Sequence, residues 1–180
     1  MKIKLNTDRI IGLTAMLVGL LTLIIFIYQT SIIRKQSRLS VTPRLVFNSI
    51  EIQRDSVVSY SMELINKGLG PGIIESINII YEGKSYDLNF GEFLEAEFPD
   101  WKKYGLLSQN TSLGKGATLS TDEKVLLFTF EMALKDIGQT QEYFKFQDGE
   151  IPIKLETVYS SIYEESWKTN NKDDNHPEKL

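Results

Sequence analysis

A chain of 180 residues with no cysteine and a single histidine, His176, carries no disulfide framework, and neither a Ser-His-Asp arrangement nor a His- or Cys-ligated zinc site is expected of it. Its net charge of −4 is spread unevenly: residues 1–39 hold six Lys or Arg against one Asp, a net of +5, and the remainder holds 14 basic against 23 acidic residues, a net of −9. So acidic a body is repelled by phosphate backbones, which speaks against nucleic-acid binding and suggests that it stands off the bilayer.

Residues 1–9 form a charged N-terminal tail with Lys2, Lys4 and Arg9. From Ile10 to Tyr28 no charge occurs, and these nineteen residues are apolar all round rather than along one stripe. At the helical rise they span roughly 28 Å, close to the hydrocarbon thickness of a bilayer. No small-residue cleavage site follows. The pattern predicts a single uncleaved transmembrane helix over 10–33, with Tyr28 at an interface, in the cell's inner (plasma) membrane. A basic juxtamembrane linker, 34–42, comes next. Lys and Arg number three before the span and four after it (Arg34, Lys35, Arg38, Arg44), a slight lean toward a cytoplasmic C-terminal domain, with the periplasmic side as the alternative. Within the span, Gly12, Ala15, Gly19 and Thr22 fall on one narrow face, a candidate seam for homodimerisation.

Beyond the linker, about 130 residues suffice for one domain with a real core. Leu45–Ile52 reads as a strand, and Val58, Tyr60, Met62 and Leu64 alternate inward along Val57–Ile65. A third strand covers Ile73–Tyr81, and a tight turn at Glu82-Gly83-Lys84 leads into Tyr86, Leu88 and Phe90. Val125–Phe130 is a buried strand. Ile151–Tyr159 and Ile162–Trp167 form a closing hairpin that turns near Ser160-Ser161. Short strands with turn signals and no βαβ spacing predict an all-β, antiparallel immunoglobulin-like sandwich over 43–168. Two helical insertions interrupt it, Phe90–Tyr104, split by Pro99, and Gln139–Phe146. The polar segment 169–180 is expected to be a disordered tail.

The corner Asn66-Lys67-Gly68-Leu69-Gly70-Pro71-Gly72 is Gly-rich but lacks the following helix and Lys-Ser/Thr of a phosphate loop. Its glycines are expected to supply positive φ, and Pro71 to stiffen the crossing between sheets. Glu92, Glu95, Glu97 and Asp100 cluster around Phe93, Phe98 and Trp101, a solvated acidic face over an aromatic core-facing stripe before it is a carboxylate pair for hydrolysis. Tyr163 and Trp167 belong to cross-strand packing, or to an interface where exposed.

Three segments together resemble a known group: Arg38-Leu39-Ser40-Val41-Thr42-Pro43-Arg44-Leu45, Asn66-Lys67-Gly68-Leu69-Gly70-Pro71-Gly72, and Tyr159-Ser160-Ser161-Ile162-Tyr163 with Trp167. The chain resembles small, uncharacterised bacterial single-pass membrane proteins with an Asn-x-Gly-x-Gly-Pro corner and a Ser-Val-Phe/Tyr…Trp ending. It departs at Gly72, where relatives often have Ala, and at Ser160, where they often have Cys. The resemblance implies a cytoplasmic domain and assigns no activity.

The function expected from these features is a membrane-anchored interaction or accessory module, without catalytic activity, cofactor or metal. Its partners would be the lipid bilayer and a protein, met through Gly68, Gly70, Pro71, Phe93, Trp101, Tyr163 and Trp167. The alternatives are a membrane-tethered sensor of a small ligand and an unusual carboxylate-dependent hydrolase.

Overall fold

The computed structural model describes residues 7–87, 89–146, 152–172 and 176–180. It divides into two units, Met1–Ser40 and Val41–Leu180.

In the first unit, helix α1 runs from Thr7 to Leu39 with no buried residue. It is long and apolar enough to cross a membrane. Thr14, Thr22 and Thr30 donate their hydroxyl protons to carbonyls of the preceding turn (2.8–3.0 Å), so their polar groups need no water. Asp8 in the first turn and Arg38 in the last suit the helix dipole. The helix continues six residues past the expected end of the span, carrying Arg34, Lys35 and Arg38 within it. Arg, Lys and Gln are good helix formers, and nothing interrupts them until Pro43 disfavours helical backbone at Thr42.

The second unit consists of two antiparallel sheets around one core. The first sheet orders β1 (Leu45–Arg54), β2 (Val57–Asn66), β7 (Lys124–Ala133) and β5 (Leu106–Asn110). The second orders β10 (Glu178–Lys179), β9 (Ser166–Asn170), β8 (Lys154–Ser160), β3 (Gly72–Tyr81) and β4 (Lys84–Asp87), with β6 (Thr118–Leu119) pairing the start of β3. Val58, Tyr60, Met62 and Leu64 are buried as the alternation predicts. "All-β" is too loose a description, because the long helix and two short ones accompany the sheets.

Those short helices, α2 (Phe90–Glu97) and α3 (Ile137–Tyr143), close the core near the β3–β4 turn. Asn89 caps α2 by accepting from the Glu92 N–H, so Phe90 starts a helix rather than ending a strand. Phe90 stacks on Phe128 with ring centroids 3.7 Å apart, and Phe93 lies edge-on to Tyr81 and Tyr86. Phe98 and Phe130 both meet Phe144, and Trp101 tilts over Phe130.

Two expectations about the end of the chain need correction. Ile162 and Tyr163 are not strand: the turn between β8 and β9 spans Ser161–Glu165, where Glu164 adopts φ 60° and donates its N–H to the Ser161 carbonyl (3.0 Å). The segment after Lys168 is not without structure among the described residues. Thr169 and Asn170 complete β9 and are buried, and Glu178–Lys179 pairs with Lys168 and Trp167. Backbone pairing of β9 with β8, and of β10 with β9, orders this polar stretch, which has no apolar signature of its own.

Candidate functional site

Several loops gather at the end of the sheets where Val41 enters. Leu45 pairs with Asn66, Gly72 with Leu119, and Ile73 with Ser160, so the entry segment 41–44, the corner 66–72, the β6–β7 loop and the β8–β9 turn share this end.

Asn66 organises it. The side chain is fully buried, and its amide makes all four hydrogen bonds available to it. The oxygen accepts from the Gly68 N–H (2.9 Å) and the Arg44 N–H (3.2 Å). The nitrogen donates to the carbonyls of Gly70 (2.8 Å) and Leu119 (3.0 Å). One side chain thus ties together the entry strand, the corner and β6. The Lys67 and Leu69 N–H groups donate to the Arg44 and Thr42 carbonyls (2.8 and 3.0 Å), running the corner alongside the entry segment.

This close approach, not positive φ, explains the glycines. Among the described residues the glycines with positive φ are Gly83 and Gly116, in other turns. A Cβ on Gly70 would lie 2.0 Å from the Val41 carbonyl oxygen, and one on Gly68 would lie 2.3 Å from the Arg44 nitrogen. The corner is a backbone-to-backbone joint. The sequence marks Asn66 only as the start of a motif; a buried Asn whose four bonds reach distant segments carries no local signal.

Tyr159 seals the joint from the second sheet. It is fully buried, stacks on Trp167 (5.9 Å), and accepts from the Leu45 N–H (3.2 Å). Burial pushes its hydroxyl up to about 12, opposed by the Leu45 hydrogen bond and the Arg44 charge. The folded-state value exceeds the ordinary value near 10, so the protonated form contributes stability that is complete below pH 10 and lost as pH rises through 12. A rise from near 10 to about 12 corresponds to about 2–3 kcal/mol. In alkaline unfolding monitored by circular dichroism, the chain is expected to lose about that much between pH 10 and 12, and Tyr159→Phe to flatten the loss.

The remaining candidates separate clearly. Pro71 is half-buried at the joint. Phe93 (1 % exposed) and Trp101 (7 % exposed) are core residues, as the aromatic-stripe reading has them and not as partner contacts: their faces turn inward against Tyr81 and Phe130. Trp167 is half-buried against Tyr159, while Tyr163 is exposed. In α1, Gly12, Ala15, Gly19 and Thr22 are all exposed, and a Cβ on either glycine would meet nothing within 4 Å.

The carboxylates do not converge. Glu95 pairs with Lys102 (2.6 Å), Asp100 with Lys103 (2.8 Å), and Glu97 with Lys84 (2.7 Å) and the Tyr86 hydroxyl. Hydrogen bonds from Lys102 and Lys84 hold Glu95 and Glu97 below the usual carboxylate range, opposite to what a general acid requires. Among the described residues no three His, Asp or Glu side chains gather as a metal site. The second unit has shallow clefts of about 330 Å³, floored by Tyr104, Gly105 and Met132, and about 310 Å³, between Glu75, Asn78, Asp87 and Lys115.

Comparison with protein-family models, curated proteins and solved structures finds no match to this chain.

Proposed function

We propose that this is a single-pass membrane protein whose helix anchors an immunoglobulin-like sandwich, and that the sandwich acts as an interaction or accessory module. The observation that carries the reading is the pairing of an entirely unburied apolar helix with a folded unit that begins at Val41, directly after it. For the sandwich type, the support is strand order. β1-β2-β7-β5 and β9-β8-β3-β4 follow the A-B-E-D and G-F-C-C′ orders of immunoglobulin-type domains, with the Asn66–Gly72 corner making the crossing between sheets.

Partner binding is assigned to the outer edge of β1 from Asn48 to Arg54, beyond the buried Leu45–Phe47, where the Leu45 N–H is given to Tyr159. In the sheet β1 pairs with β2 among the described residues, and this stretch is longer than the outer strands β5, β4 and β10, which have five, four and two residues. An extended segment added there gains main-chain hydrogen bonds. Ile52, Val57 and Leu106 add exposed apolar area on the outer face of the same sheet.

The anchor is tested by carbonate extraction of membranes. The protein is expected to stay in the pellet. Leu17→Arg with Leu21→Arg raises the insertion free energy by about 6–8 kcal/mol and is expected to move it to the supernatant. Extraction of the unaltered protein overturns the reading. For the module, a photo-crosslinking side chain at Ser49 or Gln53 is expected to capture a protein partner in intact membranes. Labelling no stronger than from Ser85, on β4, counts against β1.

A further inference from the structure

Seven large apolar side chains are exposed among the described residues of the second unit, and four of them share one end. Leu69 (71 % exposed) tips the corner, and its N–H is bonded to the Thr42 carbonyl. Ile162 and Tyr163 (53 % and 43 %) tip the β8–β9 turn, just beyond the Ser160 that pairs with Ile73. Leu180 (66 %) lies beside them, its N–H donating to the Ser166 carbonyl at the start of β9. The other three, Ile52, Val57 and Leu106, lie toward the opposite end on the outer face of the first sheet, and the aromatics of that end, Tyr81, Phe93, Phe98 and Phe144, are folded inward.

We propose that this end is a lipid-contacting surface, with Leu69, Ile162, Tyr163 and Leu180 resting in the headgroup and upper acyl region of the bilayer that holds α1. The proposal rests on the single-pass reading and adds a second point of attachment to it. Chain connectivity selects lipid as the occupant. The uncharged run of the helix ends at Ile33, and Thr42, which holds Leu69, is eight positions past Arg34. Five of those steps are helical and three are not, so the chain joining Arg34 to Thr42 spans at most about 18 Å. A tether that short keeps the bilayer at high effective concentration, so a few apolar side chains suffice where a free protein would need many. Tyr163 has the amphipathic ring that favours the interface.

Charge is not the driving term. Arg44, Lys67 and Lys124 are offset there by Asp122, Glu123 and Glu164. Contact is therefore expected in zwitterionic lipid and to change little with anionic lipid. The acidic balance of the domain, which suggests a body held off the bilayer, acts on its remaining surface.

The absence of cysteine makes the test direct. The full chain is placed at one copy per nanodisc of phosphatidylcholine, with and without phosphatidylglycerol, and carries a nitroxide on Leu69→Cys, Ile162→Cys, Ser85→Cys or Leu20→Cys. Accessibility to oxygen over that to a water-soluble nickel chelate is expected to be severalfold higher at 69 and 162 than at 85, in both lipids. Leu69→Asp with Leu180→Asp is expected to return position 162 to the value at 85, with the circular dichroism spectrum unchanged because both side chains are exposed. Equal values at 69, 162 and 85 overturn the proposal while a deep label at 20 leaves the anchor standing; a shallow label at 20 removes the anchor itself. Shielding of 69 and 162 from both reagents means a protein contact and also overturns it. Contact appearing only with phosphatidylglycerol does the same.

Discussion

Gly70→Ala is expected to destabilise the folded unit by about 3 kcal/mol or more, read as a fall of roughly 10 °C in the thermal midpoint of the detergent-solubilised chain. The new Cβ would sit 2.0 Å from the Val41 carbonyl oxygen and 2.4 Å from its carbon. Both are backbone atoms, so no rotamer change relieves the overlap. The corner can yield only by moving away from the entry segment, and that movement breaks the Asn66 amide bonds to Gly70 and Arg44 together with the Leu69–Thr42 bond. Buried polar groups left without partners cost about 1–3 kcal/mol each. Gly114→Ala is the matched control, because its Cβ would meet nothing within 4 Å, and it is expected to leave the midpoint within about 2 °C. A Gly70→Ala protein that melts with the unaltered chain would mean that the joint is loose, and that the corner is merely a turn.

The joint also shows what a sequence can and cannot disclose. Composition marks the corner at once, since Gly-x-Gly-Pro-Gly between two apolar runs is a place where chain direction changes. The reason for the glycines is not visible there. Positive φ is a local property and the natural guess, whereas the governing fact is that Val41–Arg44 passes within van der Waals contact, and that depends on pairing across 22 positions. The strands follow the same division. Val58–Leu64 alternates so cleanly that its buried face is legible, yet β5 (Leu106–Asn110) has only two apolar residues and exists because β7 offers it a hydrogen-bonding edge. β9 runs into Thr169 and Asn170 for the same reason.

The aromatic insertion between β4 and β5 is where packing and recognition compete most directly, and Phe93→Ala decides between them. The substitution is expected to cost about 3–5 kcal/mol of stability, measured by urea unfolding. Phe93 is 1 % exposed and is surrounded by Tyr81, Tyr86, Phe90 and Phe98, with ring centroids 5.4–6.0 Å away, so its removal leaves a void that four aromatic neighbours border and none can fill without leaving its own contacts. Phe93→Leu restores most of the volume and is expected to cost less than half as much. A partner-binding phenylalanine would behave the other way, with stability unchanged on truncation and crosslinking from β1 or a neighbouring loop reduced. Tyr163→Ala supplies that comparison within the same chain: its ring is exposed at the tip of a turn, so its removal is expected to stay within about 0.5 kcal/mol of the unaltered stability. The sign of the contrast follows from whether each ring faces the core or solvent. For Phe93 the sequence carries that sign, since Phe90, Phe93 and Leu94 share one face of a helical segment, whereas Tyr163, also among glutamates, sits in a turn that carries no such pattern.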